Sequence, residues 1–390
     1  MIVKPKIRDF ICTTAHPKGL FENVKRQIEY IKSKPKNKNL KKGNILIVGC
    51  STGYGLSSRI AAAFLTNSNT IGIMYEKPAK NKRTATAGWY NTIAFESFAK
   101  KEKLYAKTIN ADAFSKETIE KTAKLIKNDL GEIDMLIYSL AAPRRTMPDG
   151  KIVSSVLKTI GEDFVNKTIN LSTKEIYNIT IPSATEEEIE NTIKVMGGEN
   201  LENWVEILKN ENAFKKDAKI IAYSYQGPPL THKIYKDGTI GKAKKDLQNT
   251  IEKINKKFKD LKAYISLNKA LVTQSSAAIP VVPLYITILY KIMKEEKLHE
   301  GCIEQMYRLF NEKLQLDNIS DEKIIRLDDF EMLPKVQEKV EIAWKNISND
   351  NIEKYADLDG YNEDFLKMFG FSYDNINYDE DIDIDINANF

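Results

Sequence analysis

Apolar and polar positions change period several times along the chain. Residues 1–15 read as a short strand or hairpin, and Leu20 to Lys32 repeats at helical spacing before a basic connector, PKNKNLKKGN. Asn44 to Val48 (NILIV) is a short buried strand, after which Leu56, Ile60 and Phe64, with the alanines between them, recur at helical spacing. Thr70 to Tyr75 (TIGIMY) is a second strand. A polar loop at 77–88 and a helical segment from Trp89 to Lys103 follow it. Leu104 to Ile109 is a third strand, Lys116 to Leu130 an amphipathic helix, and Asp134 to Ser139 (DMLIYS) a fourth strand. Apolar strands alternating with helices predict a parallel sheet covered on both faces.

The alternation breaks at 143–182, a stretch rich in β-branched residues and turns that predicts a hairpin inserted beyond the carboxyl edge of the sheet. Glu186 to Phe214 reads as two acidic helices hinged at Gly197-Gly198. The core then resumes with strand Lys219 to Tyr223, a long helix over 239–259 and strand Ala263 to Leu267. Residues 284–345 are expected to be mainly helical, and Leu358 to Phe371 adds a small helix. The Asp/Ile alternation of YDEDIDIDINANF fits an edge strand or a disordered acidic end. The expected organisation is one large domain over 1–390. Its core lies at about 1–142 and 217–280, with the insertion at about 143–216 and a helical part at about 281–390.

Composition narrows the function classes. The chain has 390 residues, 42% hydrophobic and 29% charged, with a net charge of +5 spread through Lys/Glu-rich helices. Nucleic acid is therefore not indicated. Cys12, Cys50 and Cys302, and likewise His16, His232 and His299, are too scattered for a disulfide framework or a metal-ligand set. The amino-terminal residues lack a signal-peptide pattern. The most apolar stretch, Ala277 to Tyr290, is broken by Pro280 and Pro283 and is shorter than the ~18–20 residues that span a bilayer. A soluble, cytoplasmic protein is expected.

Candidate chemistry begins where the first strand ends. Gly49, Cys50, Ser51, Thr52, Gly53, Tyr54 and Gly55 place three glycines between a strand and a helix. Glycines there let the backbone turn sharply and let a pyrophosphate approach where a Cβ would clash, while the helix aims free N–H groups at the phosphates. An ordinary glycine-rich strand-to-helix turn has the same pattern. The spacing G-x3-G-x-G is the variant of the short-chain dehydrogenase/reductase proteins, which makes the fold class α/β with a Rossmann-like, doubly wound parallel sheet. Glu76 ends the second strand about twenty residues beyond Gly55, the interval expected of an acidic residue that holds the adenosine ribose. A carboxylate there repels a 2′-phosphate and favours NADH. Lys77, Lys80, Lys82 and Arg83 close by keep a phosphate possible, and Glu76 as a plain strand terminus is the bland reading.

A second constellation, SYQGPPLTHKIYKDGTIGKAKKDL, sits between the strand at 219–223 and the long helix. That helix is expected to bury Ile240, Ala243, Leu247, Ile251, Ile254 and Phe258. At ~100° per residue Lys244 falls about 40° from Ile240, on the edge of the apolar stripe, whereas Lys242 and Lys245 face outward. Taken alone, Lys244 reads as a snorkelling lysine. Asp237-Gly238 and Gly241 predict a turn that folds Tyr235 back over the start of the helix toward Lys244. A nearby ammonium is expected to lower the tyrosine's pKa, and such a phenol serves an oxygen that becomes negative as hydride arrives.

On these residues the chain resembles the NADH-dependent trans-2-enoyl-CoA and enoyl-acyl-carrier-protein reductases of the FabV/TER type. The resemblance runs through IVKPKIRDFICTTAHPKG, GCSTGYG, TATAGWYN, YSLAAPRR, Tyr235-x8-Lys244, LNKALVTQSSAAIPVVPLY and MFGFSYDNINYDEDIDID. Tyr-x8-Lys separates it from ordinary short-chain reductases, which use Tyr-x3-Lys, and from the shorter enoyl reductases, which use Tyr-x6-Lys. Gln226 and Lys233 depart from the family pattern and bear on details of the acyl pocket. The resemblance implies an NADH site lined by Gly49 to Tyr54, Tyr75, Glu76, Asp112, Ala113, Leu140 and Ala141. Leu271, Val272, Thr273 and Gln274 would close over its nicotinamide end. It further implies that Tyr225 touches the acyl thioester, Tyr235 is the proton donor and Lys244 binds the cofactor ribose. No metal is implied. The expected partner is an enoyl-CoA or enoyl-acyl-carrier-protein substrate, and the family is described as monomeric. A carbonyl reductase or epimerase of the wider dehydrogenase class and a non-catalytic NADH-sensing protein are the competing readings.

Overall fold

The computed structural model describes residues 1–8, 11–274, 276, 279–316, 323–388 and 390. The expected amino-terminal hairpin is present as β1 (Ile7–Arg8) paired antiparallel with β2 (Ile11–Cys12), its residues 9–10 lying outside the described residues. Helix α1 (Pro17–Ser33) begins earlier than its apolar period suggests. His16 caps it, Nδ1 accepting from Gly19 N at 3.2 Å, and Pro17 occupies the first turn, where its missing N–H costs nothing. The alternation then runs β3 (Asn44–Val48), α2 (Gly53–Thr66), β4 (Asn69–Met74), α3 (Ala87–Lys101), β5 (Ala106–Asn110), α4 (Lys116–Asp129) and β6 (Ile133–Tyr138).

Beyond β6 the insertion holds two hairpins where one was expected: β7 (Arg144–Thr146) with β8 (Ile152–Ser154), and β9 (Phe164–Asn170) with β10 (Glu175–Ile181). Helices α5 (Glu186–Met196) and α6 (Glu199–Asn210) meet at Gly197-Gly198, and α5 starts on a capping box formed by Thr185 and Glu188. Phe214, expected to end that helical pair, instead opens the long strand β11 (Phe214–Ser224). The chain continues through the single turn α7 (Pro229–His232), α8 (Thr239–Lys257), β12 (Leu261–Leu267), α9 (Val282–Glu295) and α10 (Cys302–Asn311).

Residues 284–345 are not helical throughout. Strand β13 (Ile324–Arg326) precedes α11 (Pro334–Asn346) and pairs in parallel with β12 through Ile265↔Ile324. Three residues are too few to show a period in sequence, and 317–322 of this stretch lie outside the described residues. Helices α12 (Ile352–Tyr355) and α13 (Leu358–Lys367) complete the chain.

The principal sheet has seven strands in the order β13-β12-β11-β6-β3-β4-β5, every pair parallel. The chain leaves β3 outward through β4 and β5, then returns to β6 on the other side. β3 and β6 therefore flank the point where strand order reverses, and ligands of open α/β sheets bind at such a point, outside the carboxyl ends. Successive residues of β3 serve opposite faces. Ile45 and Ile47 pack into the core with α1, α2, α9 and α10, whereas Leu46 and Val48 join that with Ile119, Trp204 and Leu247. The tail is neither a sheet strand nor a loose end. It lies extended with Ile382 buried, Asp381 paired to the Met1 ammonium at 2.5 Å, and the carbonyls of Ile384 and Ile386 accepting from Tyr90 Oη (2.6 Å) and Trp89 Nε1 (3.1 Å).

Candidate active site

Six strand ends converge on the carboxyl edge of the sheet, stitched by main-chain hydrogen bonds. Gly49 N donates to Ile73 O at 2.9 Å, Ala111 N to Met74 O at 2.8 Å, Ser139 N to Val48 O at 2.9 Å and Asn268 N to Ser224 O at 2.9 Å. Residues 49–54, 75–76, 112–113, 140–141, 225 and 271–274 thus all issue from one edge, at both sides of the β3/β6 reversal.

The glycine turn is built for close approach. Gly49 has φ +83°, and a Cβ there would stand 2.4 Å from Ser139 O; a Cβ on Gly55 would stand 1.8 Å from Gly49 O. Gly53 is different. Its φ is +52°, yet a Cβ would meet nothing within 4 Å. The turn therefore packs tightly against β6 below and faces open space above, at the amino end of α2. Thr52 leaves that end without a side-chain cap, and no acidic residue occupies its first turn. Such a cradle receives an anionic group. The Cys50 side chain is fully buried and its thiol is pushed up to about 11, chiefly by burial, so this residue offers the cradle main chain only. Tyr54 is likewise committed, its hydroxyl donating to Lys269 O and accepting from Gln305 Nε2, both at 2.8 Å.

At the end of β4, Tyr75 is 77% exposed and presents a flat apolar face to the surface. Glu76 beside it is half-buried. Ser51 Oγ donates to its Oε1 at 2.6 Å, its N–H donates to Asn110 Oδ1 at 2.8 Å, and burial raises its carboxyl despite the Ser51 hydrogen bond. Asn110 is a contributor that sequence reading missed; it sat inside an expected strand-to-loop junction with no distinguishing pattern. Asp112 Oδ1 accepts from Phe114 N at 2.9 Å, and Ala113 O accepts from Trp204 Nε1 at 3.0 Å, which fixes this strand end. Leu140 is half-buried and Ala141 exposed. Leu271 and Val272 are buried, Thr273 is half-buried and Gln274 exposed.

The main chain of Tyr235 and Lys236 lies against the start of α8, and Gly241 makes room for it: a Cβ there would stand 1.7 Å from Lys236 O. The Tyr235 ring meets that of Tyr225 edge to face, with centroids 4.9 Å apart and planes at 79°. Lys242 and Lys245 are exposed while Lys244 is half-buried, as the helical phase requires. Lys244 Nζ donates to Tyr223 O at 3.5 Å, and burial lowers its ammonium to about 8. The expected lowering of the Tyr235 pKa is not found. Burial alone acts on the phenol and pushes it upward, so it stays protonated at neutral pH and acts as a donor. The two tyrosines differ in commitment. Tyr225 Oη donates to Glu331 Oε1 at 3.1 Å, whereas the Tyr235 hydroxyl has no hydrogen-bond partner among the described residues. Lys233 pairs with Glu162 at the surface. Glu331 and Tyr285, which donates to it at 2.6 Å, were not singled out in the sequence; a lone carboxylate in DDFEML shows no pattern, and Tyr285 was read only as part of an apolar run.

The chain matches three family descriptions in succession: "NAD(P)H binding domain of trans-2-enoyl-CoA reductase" over residues 2–81, "Trans-2-enoyl-CoA reductase catalytic region" over 83–315, and "Enoyl reductase FAD binding domain" over 319–382. It is 50% identical over 392 residues to the trans-2-enoyl-CoA reductase [NADH] of Ruminiclostridium cellulolyticum, covering 99% of each chain. It is 51% identical over 393 residues to the enoyl-[acyl-carrier-protein] reductase [NADH] of Flavobacterium johnsoniae, again covering 99% of each. Among solved structures, trans-2-enoyl-CoA reductase of Clostridium acetobutulicum in complex with NADH superposes with TM-score 0.95 at 45% identity, covering 98% of both chains. The Treponema denticola enzyme in complex with NAD superposes with TM-score 0.93 at 42% identity, covering 98% of both.

Proposed function

The chain belongs to the trans-2-enoyl-CoA reductase family, and from that premise we propose that it reduces the trans-2 double bond of enoyl thioesters, with NADH as reductant. When bound, NADH supplies the hydride that adds to Cβ of the enoyl thioester. The chain's own residues hold the reactants and manage charge. In this reading the glycine turn from Gly49 to Tyr54, with the free amide end of α2, holds the pyrophosphate. Gly53 supports the fit, because its open side is where a phosphate would lie. Tyr75 and Glu76 take the adenosine end. Asp112-Ala113, Leu140-Ala141 and Leu271 to Gln274 border the rest of the cofactor, and Lys244 binds a ribose hydroxyl.

As negative charge grows on the thioester oxygen, Tyr235 donates a hydrogen bond to it and keeps its own proton, and Cα of the enolate then takes a proton from water as the C=O bond re-forms. Tyr225 bounds the acyl thioester and buttresses the Tyr235 ring. The observation that carries this assignment is the contrast within the tyrosine pair: one hydroxyl is committed to Glu331, the other uncommitted. A preorganised donor of this kind is worth about 10²-fold or more in rate.

We further infer that the chain acts as a monomer of one domain in the cytoplasm; no helix among the described residues is long and apolar enough to cross a membrane. The test is turnover of C4 to C16 trans-2-enoyl thioesters, as CoA and as acyl-carrier-protein esters, with NADH and NADPH in parallel. NADH oxidation matched to acyl product, with NADPH used poorly, is the expected result. Equal efficiency with both cofactors would remove Glu76 as the discriminator. No oxidation with any thioester would overturn the reaction itself.

A further inference from the structure

Glu331 sits between β13 and α11, far in sequence from every glycine and tyrosine of the site, and is fully buried. A buried carboxylate is costly unless hydrogen-bonded, and this one collects three donors on its two oxygens. Tyr285 Oη donates to Oε1 at 2.6 Å and Tyr225 Oη to the same atom at 3.1 Å, while Ala270 N donates to Oε2 at 2.7 Å. Gln337 Nε2 fixes the residue from behind by donating to its carbonyl at 2.7 Å. No lysine or arginine pairs with it among the described residues.

The identity of the donors matters more than their number. Tyr225 carries the ring against which Tyr235 is set. Ala270 immediately precedes Leu271 to Gln274, the segment that borders the cofactor's nicotinamide end. One carboxylate therefore joins the acyl side of the site to the cofactor side. It also settles a direction: with the Tyr225 proton aimed at Glu331, the Tyr225 oxygen can only accept, and the donor role falls to Tyr235.

We infer that Glu331 is a positioning residue for the reduction, holding Tyr225 as an acceptor against Tyr235 through one oxygen and anchoring the 270–274 segment through the other. This rests on the reaction proposed above. An amide in its place keeps the shape but has one oxygen and an NH2 group. It can accept from the tyrosines or from Ala270 N, not from all three.

The test is a double-mutant cycle of Glu331→Gln and Tyr225→Phe, read as kcat and KM for crotonyl-CoA at saturating NADH, as the NADH Kd by fluorescence titration, and as Tm. Glu331→Gln should lower kcat/KM for crotonyl-CoA about tenfold or more and raise the NADH Kd severalfold. In the Tyr225→Phe background the crotonyl-CoA effect should shrink to about twofold or less, because its route is gone. The NADH effect, which runs through Ala270, should persist. Losses that simply multiply across the cycle, or a folded Glu331→Gln enzyme with unchanged constants, would overturn the inference. If Glu331→Gln does not fold, Tyr285→Phe loosens the same carboxylate and should give a milder crotonyl-CoA effect that again vanishes with Tyr225→Phe; a loss that survives there overturns it equally. Absence of wild-type turnover would count against the proposed reaction instead, and the NADH Kd would then decide the Ala270 arm alone.

Discussion

Replacing Gly53 by alanine adds one methyl group to the glycine turn at the place where the protein itself leaves room for it. The backbone penalty is that of a left-handed residue with a Cβ, about 1–2 kcal/mol, since φ is +52°. No steric term adds to it, because nothing lies within 4 Å of the built Cβ. The fold should therefore survive, with Tm lower by a few degrees at most. The same methyl would occupy the space over the free amides of α2. If a pyrophosphate must enter that space, the NADH Kd should rise at least tenfold, about 1.4 kcal/mol. Gly49→Ala is the contrasting variant. Its Cβ would press within 2.4 Å of the main-chain oxygen of Ser139 at φ +83°, so it should cost more stability than Gly53→Ala. Fluorescence titration with NADH and thermal melts on both variants give the two numbers for each. A stable Gly53→Ala protein that binds NADH as tightly as wild type would refute the placement of the pyrophosphate on this turn.

Three further expectations follow from the lysines of α8 and from a buried histidine. Lys244→Met should weaken NADH binding and turnover together without unfolding the protein, while Lys242→Met and Lys245→Met should change stability by less than ~0.5 kcal/mol and leave activity nearly intact; an inactive Lys242→Met enzyme would move the site to the Tyr-x6-Lys class. Because burial lowers the Lys244 ammonium to about 8, kcat/KM for NADH should fall as pH rises through that value, and a flat profile from pH 7 to 9.5 would contradict a role for its charge. His16 is buried and its imidazole lowered to about 4 from 6.5, so below pH 6.5 the unfolded chain takes up a proton that the folded chain refuses. Stability should drop by about 3 kcal/mol as pH falls from 6.5 to 4 relative to His16→Asn, which keeps an acceptor for Gly19 N but does not titrate. Parallel acid-denaturation curves for the two proteins would contradict this.

The sheet was legible because its strands are buried on both faces and read as continuous apolar runs: NILIV was placed to the residue, and β4, β6 and β12 to within one or two. The glycine turn and the inward phase of Lys244 on α8 were legible because backbone chemistry and helical phase leave local marks. What sequence missed was non-local. β13 has three residues and exists only through its pairing with β12. The β7–β8 hairpin of the insertion has three residues in each strand, too few to show a period. The tail alternates Asp and Ile without joining a sheet, because its apolar side chains pack on other elements while its carbonyls accept from Trp89 and Tyr90. The expected effect of an ammonium on Tyr235 failed for a related reason: burial, which no spacing reveals, acts alone on the phenol. Glu331 acquires meaning only from three donors that are 46 to 106 residues away in the chain.

The central claim is that Tyr235 donates to the reacting thioester while Tyr225, its proton held by Glu331, does not. Pre-steady-state oxidation of bound NADH on mixing with crotonyl-CoA, compared among wild type, Tyr235→Phe and Tyr225→Phe, tests it most directly. The account predicts a rate at least about 10²-fold lower for Tyr235→Phe with an unchanged NADH Kd, and a much smaller loss for Tyr225→Phe. Near-normal hydride transfer by Tyr235→Phe, with the large loss in Tyr225→Phe, would contradict it and move the donor to the other ring.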